Sequence, residues 1–174
     1  MRGYFAIGAE GISKPMNLGN LMRSACAFGA SFFFTVDAER NLGRPASDTA
    51  ESAFRMPYYD WRDVCEMKLP RNCRLIGIEL KEDAIDLPSF RHPAQAAYVL
   101  GPERGSLSPE MLSRCDFVVK IPTTFCINVA TAGAIVMYDR VRSLGRFAPR
   151  PVRAGGPTEI LEPHRHGGIY RRRK

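Results

Sequence analysis

The chain has 174 residues, of which 45% are hydrophobic and 25% charged, and its formal net charge of +7 is moderate; these values fit one globular domain with a sizeable core. No apolar run approaches the roughly 18 residues of a membrane span, and the N-terminus runs straight into a strand-like pattern without a charged-then-apolar leader. We therefore predict a cytoplasmic protein that does not associate with membranes.

The first half of the chain predicts a strand–helix–strand unit, which implies a parallel sheet covered by helices. Asn17 or Asn20 is the candidate N-cap of the helix, and Gly29 ends it. Two more helices are expected before the next strand. In chain order, the predicted elements are a strand at 3–8, a loop at 9–16, a helix up to residue 28, a strand at 32–36 and short helices at 46–54 and 58–67.

The second half predicts three further strands and two helices, giving a single α/β domain with about five strands in all. Ser108 caps the first of these helices, and Pro109 lies in its first turn. Pro122 fixes its own φ and disfavours helical geometry at Ile121, so the chain turns there before the last helix. The predicted elements are strands at 74–80, 96–100 and 117–121, a connection at 83–93, a short helix from 108 and a long helix ending near 144.

From Pro149 onward the composition shifts to Pro, Gly, Arg and His, which is typical of a segment that is disordered when alone. We therefore divide the chain into a domain at 1–148 and a tail at 149–174. The tail has a net charge of +5, against +2 for the rest of the chain. Basic tails commonly bind nucleic acid phosphates, although a role in solubility alone would also explain this one. Its basic residues are Arg150, Arg153, Arg165, Arg171, Arg172, Arg173 and Lys174.

The cysteines and histidines argue against a metal site. The cysteines form no C-x-x-C pair, and two of the three histidines lie in the tail. The odd number and wide spread of the cysteines predict reduced, mostly buried thiols and no bound metal. These residues are Cys26, Cys65, Cys73, Cys115 and Cys126.

Three loops that follow predicted strands, at 13–23, 101–105 and 121–128, are the candidate ligand sites, because ligands of parallel sheets bind at the carboxyl ends of strands. The first strand–helix turn has no G-x-G-x-x-G and the chain has no G-K-[ST], so a dinucleotide-dependent oxidoreductase and a nucleoside triphosphatase lose support. Asn128 lies between apolar residues, which is unusual for a plain core helix because a buried amide needs hydrogen-bonding partners.

Together the three loops resemble the three motifs of SpoU-type RNA methyltransferases, which belong to the SPOUT or α/β-knot superfamily. The first is Asn-Leu-Gly-Asn-Leu-Met-Arg at 17–23 with Phe-Gly at 28–29, and the second is Leu-Gly-Pro-Glu-Arg-Gly at 100–105. The third is Ile-Pro at 121–122 with Asn-Val at 128–129. Each motif alone is weak, but their order and spacing across residues 3–144 are specific.

The resemblance implies a parallel-sheet α/β-knot (SPOUT) fold with a C-terminal trefoil knot, which no pattern would have suggested because threaded chains are very rare. It also implies a homodimer, S-adenosylmethionine as the methyl donor, and methylation of a ribose 2'-hydroxyl in tRNA or rRNA. The helix after the third motif, with its small residues Ala130, Ala132, Gly133 and Ala134, is the expected dimer surface.

By the same resemblance, Arg23, Asn17, Glu103 and Asn128 are the expected catalytic residues, and Asn17, Asn20 and Arg23 are expected RNA contacts. On the charge of the tail, the further expected RNA contacts are Arg150, Arg153, Arg171, Arg172 and Arg173. The family's proposal makes Arg23 a general base, but a guanidinium stays protonated in proteins and is better suited to stabilising a developing alkoxide or holding a phosphate. The two asparagines are expected to shape the substrate pocket, with Asn20 hydrogen-bonded to Glu103. Helix capping would explain one asparagine, and a solvated turn charge would explain Glu103.

For the cofactor, the resemblance implies contacts with loop backbone at the strand ends, between apolar walls that suit an adenine ring. A role in the core would explain Ile78 and Leu100 nearly as well. The expected cofactor residues are Ile78, Leu100, Gly101, Gly105, Ile121, Cys126, Ile127, Asn128 and Val129.

The third motif departs from the family, because its loop is shorter than usual and Cys126 stands where Ser is common. A thiol is a weaker hydrogen-bonding group than a hydroxyl. The role of the usual Ser is therefore expected to be altered, or to be taken over by Thr123 or Thr124. Because the first strand starts at residue 3, we expect no N-terminal RNA-binding domain of the kind that many relatives carry, and we expect the tail and the dimer surface to bind RNA instead. A non-catalytic RNA-binding or ribosome-assembly protein of the same fold is therefore the alternative function.

Overall fold

A parallel β-sheet forms the centre of the part of the chain that the computed structural model describes, which is residues 3–39, 56–145 and 147. Its elements are β1 (Tyr4–Glu10), α1 (Pro15–Phe28), β2 (Phe32–Val36), β3 (Tyr58–Trp61), β4 (Arg74–Ile78), β5 (Ile85–Asp86), a 3-10 turn (Leu87–Ser89), β6 (Gln95–Leu100), α2 (Pro109–Arg114), β7 (Phe117–Lys120) and α3 (Val129–Leu144). The seven strands are ordered β3-β2-β1-β6-β4-β7-β5, and every neighbouring pair is parallel. No helix within these ranges is long and apolar enough to cross a membrane.

Both faces of the sheet bury apolar side chains, as expected for a parallel sheet with helices on each side. α1 and α3 cover one face, where Ile7 and Tyr98 are fully buried. α2 and the turns after β3 cover the other face, where Phe34 and Val99 are fully buried. Tyr98 and Val99 are neighbours on β6, so the alternation of side chains along the strand divides them between the two cores.

The small residues of α3 allow it to pack closely on α1. Ala130 and Ala132 are buried, and a side chain at Gly133 would overlap Leu21 of α1. The expectation that the small residues form a dimer surface is therefore wrong for Ala130, Ala132 and Gly133, because they are already covered within the chain, whereas the dimer surface on this helix stays a prediction. The exposed side of α3 instead carries Ile135 and Tyr138.

The segment that we expected to be a helix at 58–67 begins with strand β3 and continues in turns, so that prediction is wrong. The rings of Tyr59 and Trp61 stack at 5.7 Å with an interplanar angle of 7°, and they contact Phe32 and Phe34 of the neighbouring strand β2. Aromatic residues favour strands, and these cross-strand contacts stabilise the pairing. Contacts with a distant part of the sequence thus outweigh the local helical spacing.

Most other predicted elements are confirmed within a few residues at their ends, which is the usual uncertainty of element boundaries. Gly29 ends α1 in the left-handed conformation with φ of 77°. Ser108 caps α2 by accepting a hydrogen bond from the backbone N–H of Met111 at 3.0 Å. The expected connection at 83–93 contains β5, so together with β3 the sheet has seven strands rather than five.

Helix α1 begins earlier than predicted. Pro15 occupies its first turn and Lys14 its cap position, where no side chain forms a capping hydrogen bond. Asn17 and Asn20 lie inside the helix, so neither is its N-cap. Proline at the start of a helix has a suitable φ and no N–H that would need a partner, which favours this earlier start.

Some expectations fall outside the described residues, namely the helix at 46–54, the tail at 149–174 with its arginines, and the domain boundary between 148 and 149. All five cysteines are free. Cys65 and Cys126 are exposed and the other three are half-buried, so the expectation of mostly buried thiols is wrong. Within the described ranges, no group of three or more His, Cys, Asp or Glu side chains is arranged to hold a metal ion.

Arg140 of α3 joins that helix to the amino end of the sheet, and its side chain is only 3% exposed. The guanidinium donates hydrogen bonds to the backbone carbonyl oxygens of Pro93 at 2.6 Å, Ala94 at 2.9 Å and Tyr4 at 3.3 Å. It also donates to the Tyr98 hydroxyl at 3.1 Å. One buried cation therefore satisfies four acceptors that lie at the starts of β1 and β6 or close to them.

His92 extends this buried cluster. Its Nδ1 lies 2.6 Å from the Tyr98 hydroxyl, and its Nε2 lies 2.9 Å from Oδ2 of Asp139. Burial lowers the pKa of His92 below 6.5, although the hydrogen bond and charge of Asp139 oppose this shift. Burial also raises the pKa of Tyr98 to about 12, so its hydroxyl keeps its proton.

Candidate functional site

A pocket of about 360 Å³ opens at the carboxyl ends of β4, β6 and β7, where the three motif loops meet. Its size lies within the usual range for small-molecule sites. Apolar side chains, loop backbone and a few polar groups line it. The lining residues are Lys14, Asn17, Ile78, Glu79, Leu80, Leu100, Gly101, Pro102, Glu103, Gly105, Ile121, Thr123, Cys126, Ile127, Asn128, Val129 and Ala132.

All nine residues that we expected to bind the cofactor line this pocket. Ile78 and Leu100 are also buried in the core, so the same side chains pack the sheet and form the pocket wall. The structure thus brings together residues from loops that lie far apart in the sequence. Their contact with a cofactor stays a prediction.

Glu103 of the second motif holds the loop of the first motif. Its Oε2 accepts hydrogen bonds from the backbone N–H and the hydroxyl of Ser13, at 3.1 and 3.0 Å. Its Oε1 accepts from the backbone N–H of Lys14 at 3.0 Å and from Nδ2 of Asn17 at 2.9 Å. This carboxylate therefore binds the backbone at the start of α1, where the helix has no side-chain cap of its own.

Asn17 connects the second motif to the third. Its Nδ2 donates to Glu103, and its Oδ1 accepts a hydrogen bond from Nδ2 of Asn128 at 2.9 Å. Asn128 is the N-cap of α3, because its Oδ1 accepts from the backbone N–H groups of Ala130 at 2.9 Å and Thr131 at 3.3 Å. A continuous chain of hydrogen bonds thus joins all three motifs at the edge of the pocket.

One expectation about the asparagines changes. The hydrogen bond to Glu103 comes from Asn17 and not from Asn20, which is exposed and lies about 4.5 Å farther along the axis of α1. Asn128 is exposed, in agreement with the argument that an amide does not suit a plain core position. Both its oxygen and its nitrogen are hydrogen-bonded.

The surroundings of Glu103 change its ionisation. Burial raises its pKa, but hydrogen bonds from Asn17, from its own loop backbone and from Ser13 outweigh burial, so the net pKa lies below 4.5. The ionised carboxylate is the form that accepts these bonds. Its contribution to stability is therefore present above pH 4.5 and lost as the pH falls through the lower pKa of the folded state.

We expect Glu103→Gln to lower the free energy of unfolding by about 1–2 kcal/mol at pH 7, a modest value because the carboxylate is partly solvated. The difference from wild type should shrink towards zero as the pH is lowered to about 2, because the wild-type side chain then becomes neutral as well. Urea unfolding at both pH values measures this. The exposed Glu82→Gln is the matched control, and an equal difference at both pH values would contradict the role of the charge.

The sequence profile of the SpoU rRNA Methylase family matches residues 4–138, a range that contains all three motif loops and every residue that lines the pocket. The chain belongs to this family.

Two curated relatives of this SpoU family member are named as methyltransferases of different RNA classes. The tRNA (guanosine(18)-2'-O)-methyltransferase TARBP1 of Mus musculus is 27% identical over 140 residues, which are 75% of this chain and 9% of that protein. The 23S rRNA (guanosine-2'-O-)-methyltransferase RlmB of Acinetobacter baylyi is 26% identical over 145 residues, which are 78% of this chain and 58% of that protein. The chain thus spans less than two thirds of the length of either relative.

A solved structure of the family shares the fold. The SpoU methyltransferase AviRb from Streptomyces viridochromogenes, in complex with the cofactor AdoMet, matches with a TM-score of 0.71 and 22% identity. The match covers 82% of this chain and 61% of that one. This SpoU family member therefore has the parallel α/β architecture that the motifs predicted.

Several pocket residues of this SpoU family member were missed by sequence reasoning, and Glu79 is the most informative. Its Oε2 accepts a hydrogen bond from the backbone N–H of Leu107 at 2.8 Å, and its Oε1 accepts from that of Leu80 at 3.1 Å. We expected the strand to continue to residue 80, but β4 ends at Ile78 and leaves Glu79 at the pocket. The signal that could have identified Glu79 was the carboxyl end of β4, but local propensity predicted that end two residues too late. The other missed residues are Lys14, Leu80, Pro102, Thr123 and Ala132.

Arg23 lies apart from the pocket of its own chain. Its side chain is exposed on α1, six residues and about 9 Å along the helix axis from Asn17, and it does not line the pocket. The structure therefore brings together three of the four expected catalytic residues, Asn17, Glu103 and Asn128.

Proposed function

We propose that this SpoU family member is an S-adenosylmethionine-dependent enzyme that methylates a ribose 2'-hydroxyl in tRNA or rRNA. The observation that carries the proposal is the chain of hydrogen bonds from Glu103 through Asn17 to Asn128, which joins the three motifs around one pocket. The two relatives described above are guanosine 2'-O-methyltransferases of tRNA and rRNA, and AviRb binds AdoMet. These similarities support the substrate class and the cofactor.

The pocket suits S-adenosylmethionine in its walls and its charge. Ile78, Leu100 and Val129 offer apolar contact to an adenine ring, and the loop backbone offers hydrogen-bonding groups. The Glu79 carboxylate adds negative charge beside a ligand whose sulfonium and ammonium groups are both positive. When bound, this cofactor supplies an activated methyl group.

The residues of the chain position the acceptor and stabilise charge. The bonds among Glu103, Asn17 and Asn128 fix the edges of the pocket, which allows the ribose oxygen to approach the methyl group in line. The pocket residues would hold the cofactor that supplies the methyl group, and the ribose hydroxyl would lose its proton to water. Because Arg23 lies apart from the pocket of its own chain, we assign it to the pocket of the second copy in the homodimer proposed below, where it stabilises negative charge on the ribose oxygen and contacts an RNA phosphate.

Isothermal calorimetry with S-adenosylmethionine, followed by transfer of radiolabelled methyl groups to bulk tRNA and rRNA, tests this function. We expect cofactor binding and label in one RNA class, and mass mapping of the modified nucleotide then identifies the target. Cofactor binding without label in any RNA would favour the alternative, a non-catalytic RNA-binding or ribosome-assembly protein. The observation that supports this alternative is the short third motif loop, in which Cys126 replaces the usual Ser.

We also propose a cytoplasmic homodimer whose C-terminal part forms a trefoil knot. The segment after β7 passes the loops that follow β4 and β6 before α3 packs on α1, which supports a threaded path. Met16, Ile135 and Tyr138 are 63%, 37% and 55% exposed on these two helices, which supports an apolar contact between copies. Sedimentation velocity would measure the oligomeric state.

We also propose that residues 149–174 form a separate basic tail that binds RNA. Deleting it should weaken RNA binding and reduce the dependence of the binding constant on salt, because fewer counterions are released from the phosphates. Filter binding between about 50 and 200 mM salt measures both effects. If deletion left the salt dependence of the RNA-binding constant unchanged, the proposal that the tail binds RNA would be wrong.

A further inference from the structure

Phe125 is the most exposed large hydrophobic side chain among the described residues, at 71%. It lies in the third motif loop between Thr124 and Cys126. Its neighbours Thr123 and Cys126 line the pocket, whereas Phe125 does not, so the ring lies outside the mouth of the pocket. A single exposed apolar side chain is common in proteins, but an aromatic ring beside a small-molecule pocket is placed where a nucleic acid base can stack on it.

The turn that carries Phe125 is held in place on both sides. The backbone N–H of Thr123 donates to the carbonyl oxygen of Ile121 at 2.7 Å, and the Thr123 hydroxyl donates to the carbonyl oxygen of Phe125 at 2.9 Å. Asn128 caps α3 three residues later. The backbone that carries the ring is therefore held in place, which lowers the entropy of loop ordering that binding would cost.

Two basic side chains at the pocket favour a nucleotide as the occupant, because the carboxylates of Glu79 and Glu103 already accept hydrogen bonds from the chain itself. Lys14 lines the pocket, and Arg104 is exposed on the second motif loop between two other lining residues. Cations that neutralise phosphates, together with an exposed aromatic face, are the combination that binds single-stranded nucleic acid. A purely apolar partner would not use these cations.

We infer that Phe125 is a stacking platform for an unpaired base of the RNA segment that enters the pocket. The inference rests on the proposed function and adds a positioning residue to it: the base stacks on the ring while its ribose faces the bound methyl donor. Sequence-specific and single-strand recognition of RNA commonly uses such stacking on aromatic side chains.

The test compares Phe125→Ala and Phe125→Tyr with the matched control Thr124→Ala, an exposed neighbour in the same loop. The probes are a fluorescein-labelled oligoadenylate of about 12 nucleotides and an abasic strand of the same length, with binding followed by anisotropy. We expect Phe125→Ala to weaken oligoadenylate binding about 5- to 100-fold and to leave binding of the abasic strand unchanged. Phe125→Tyr and Thr124→Ala should bind both strands like wild type.

Equal weakening for both strands, or no weakening for either, would overturn the inference. Sedimentation velocity provides a second check, because conversion of a wild-type dimer to monomer by Phe125→Ala would assign the ring to a contact between copies and likewise overturn it. Calorimetry with S-adenosylmethionine should give the same affinity for all three variants. Because the strand comparison needs no methyl transfer, absence of wild-type methylation would count against the proposed function alone.

Discussion

Arg23→Ala is expected to lower the rate of methyl transfer about 100- to 1,000-fold and to leave the affinity for S-adenosylmethionine within about twofold of wild type. The expected loss has the size seen when one preorganised donor to a developing oxyanion is removed. Cofactor affinity should persist because Arg23 does not line the pocket. Single-turnover transfer to the RNA that wild type methylates and calorimetry with the cofactor measure the two effects.

Two further variants sharpen this test. Arg23→Lys keeps the charge but loses the planar pair of donors, so we expect activity between those of wild type and Arg23→Ala. Arg71→Ala removes an exposed arginine before β4, at the opposite end of the sheet, and should retain full activity. If Arg23→Ala lost cofactor binding together with activity, the assigned role of Arg23 would be wrong.

Arg140→Met is expected to lower the free energy of unfolding by about 3–5 kcal/mol and the melting temperature by roughly 10 °C. Methionine fills much of the space but donates no hydrogen bond. The Tyr98 hydroxyl and the carbonyl oxygens that Arg140 now satisfies would lose their buried donor. Urea and thermal unfolding measure the change.

Arg142→Met is the matched control, since it lies two residues farther along α3 and is exposed. It should change the unfolding free energy by no more than about 0.5 kcal/mol. Equal losses for the two variants would show that helix propensity or net charge, rather than the buried hydrogen bonds, controls stability. A small loss for Arg140→Met would mean that water replaces the guanidinium.

The parts of the fold that could be predicted from the sequence are those where a single residue starts, ends or turns an element by its own chemistry. Gly29 ends α1, Ser108 caps α2, and Pro122 turns the chain after β7, each because of its own backbone or capping chemistry. The pocket was predictable for a related reason. Its residues follow strand ends, and the carboxyl ends of parallel strands lie at the same edge of a sheet.

The features that could not be predicted depend on partners distant in the sequence. Tyr59 and Trp61 form a strand because β2 offers aromatic rings to pack against. Gly133 is small because Leu21 lies against it. The choice of Asn17 over Asn20 as the partner of Glu103 depends on where α1 begins, and that start differed from the prediction.

The long hydrogen-bond chain at the pocket also bears on how the protein folds. Glu103 and Asn128 lie 86 and 111 residues from Asn17, and β1 pairs with β6 across a similar distance. Contacts with such large sequence separations slow folding, because the chain loses the entropy of closing long loops before the stabilising contacts form. During synthesis, no pocket can form until α3 has left the ribosome. A ligand of this pocket would therefore bind only a chain in which α3 has folded, and by binding it would stabilise the fold against unfolding.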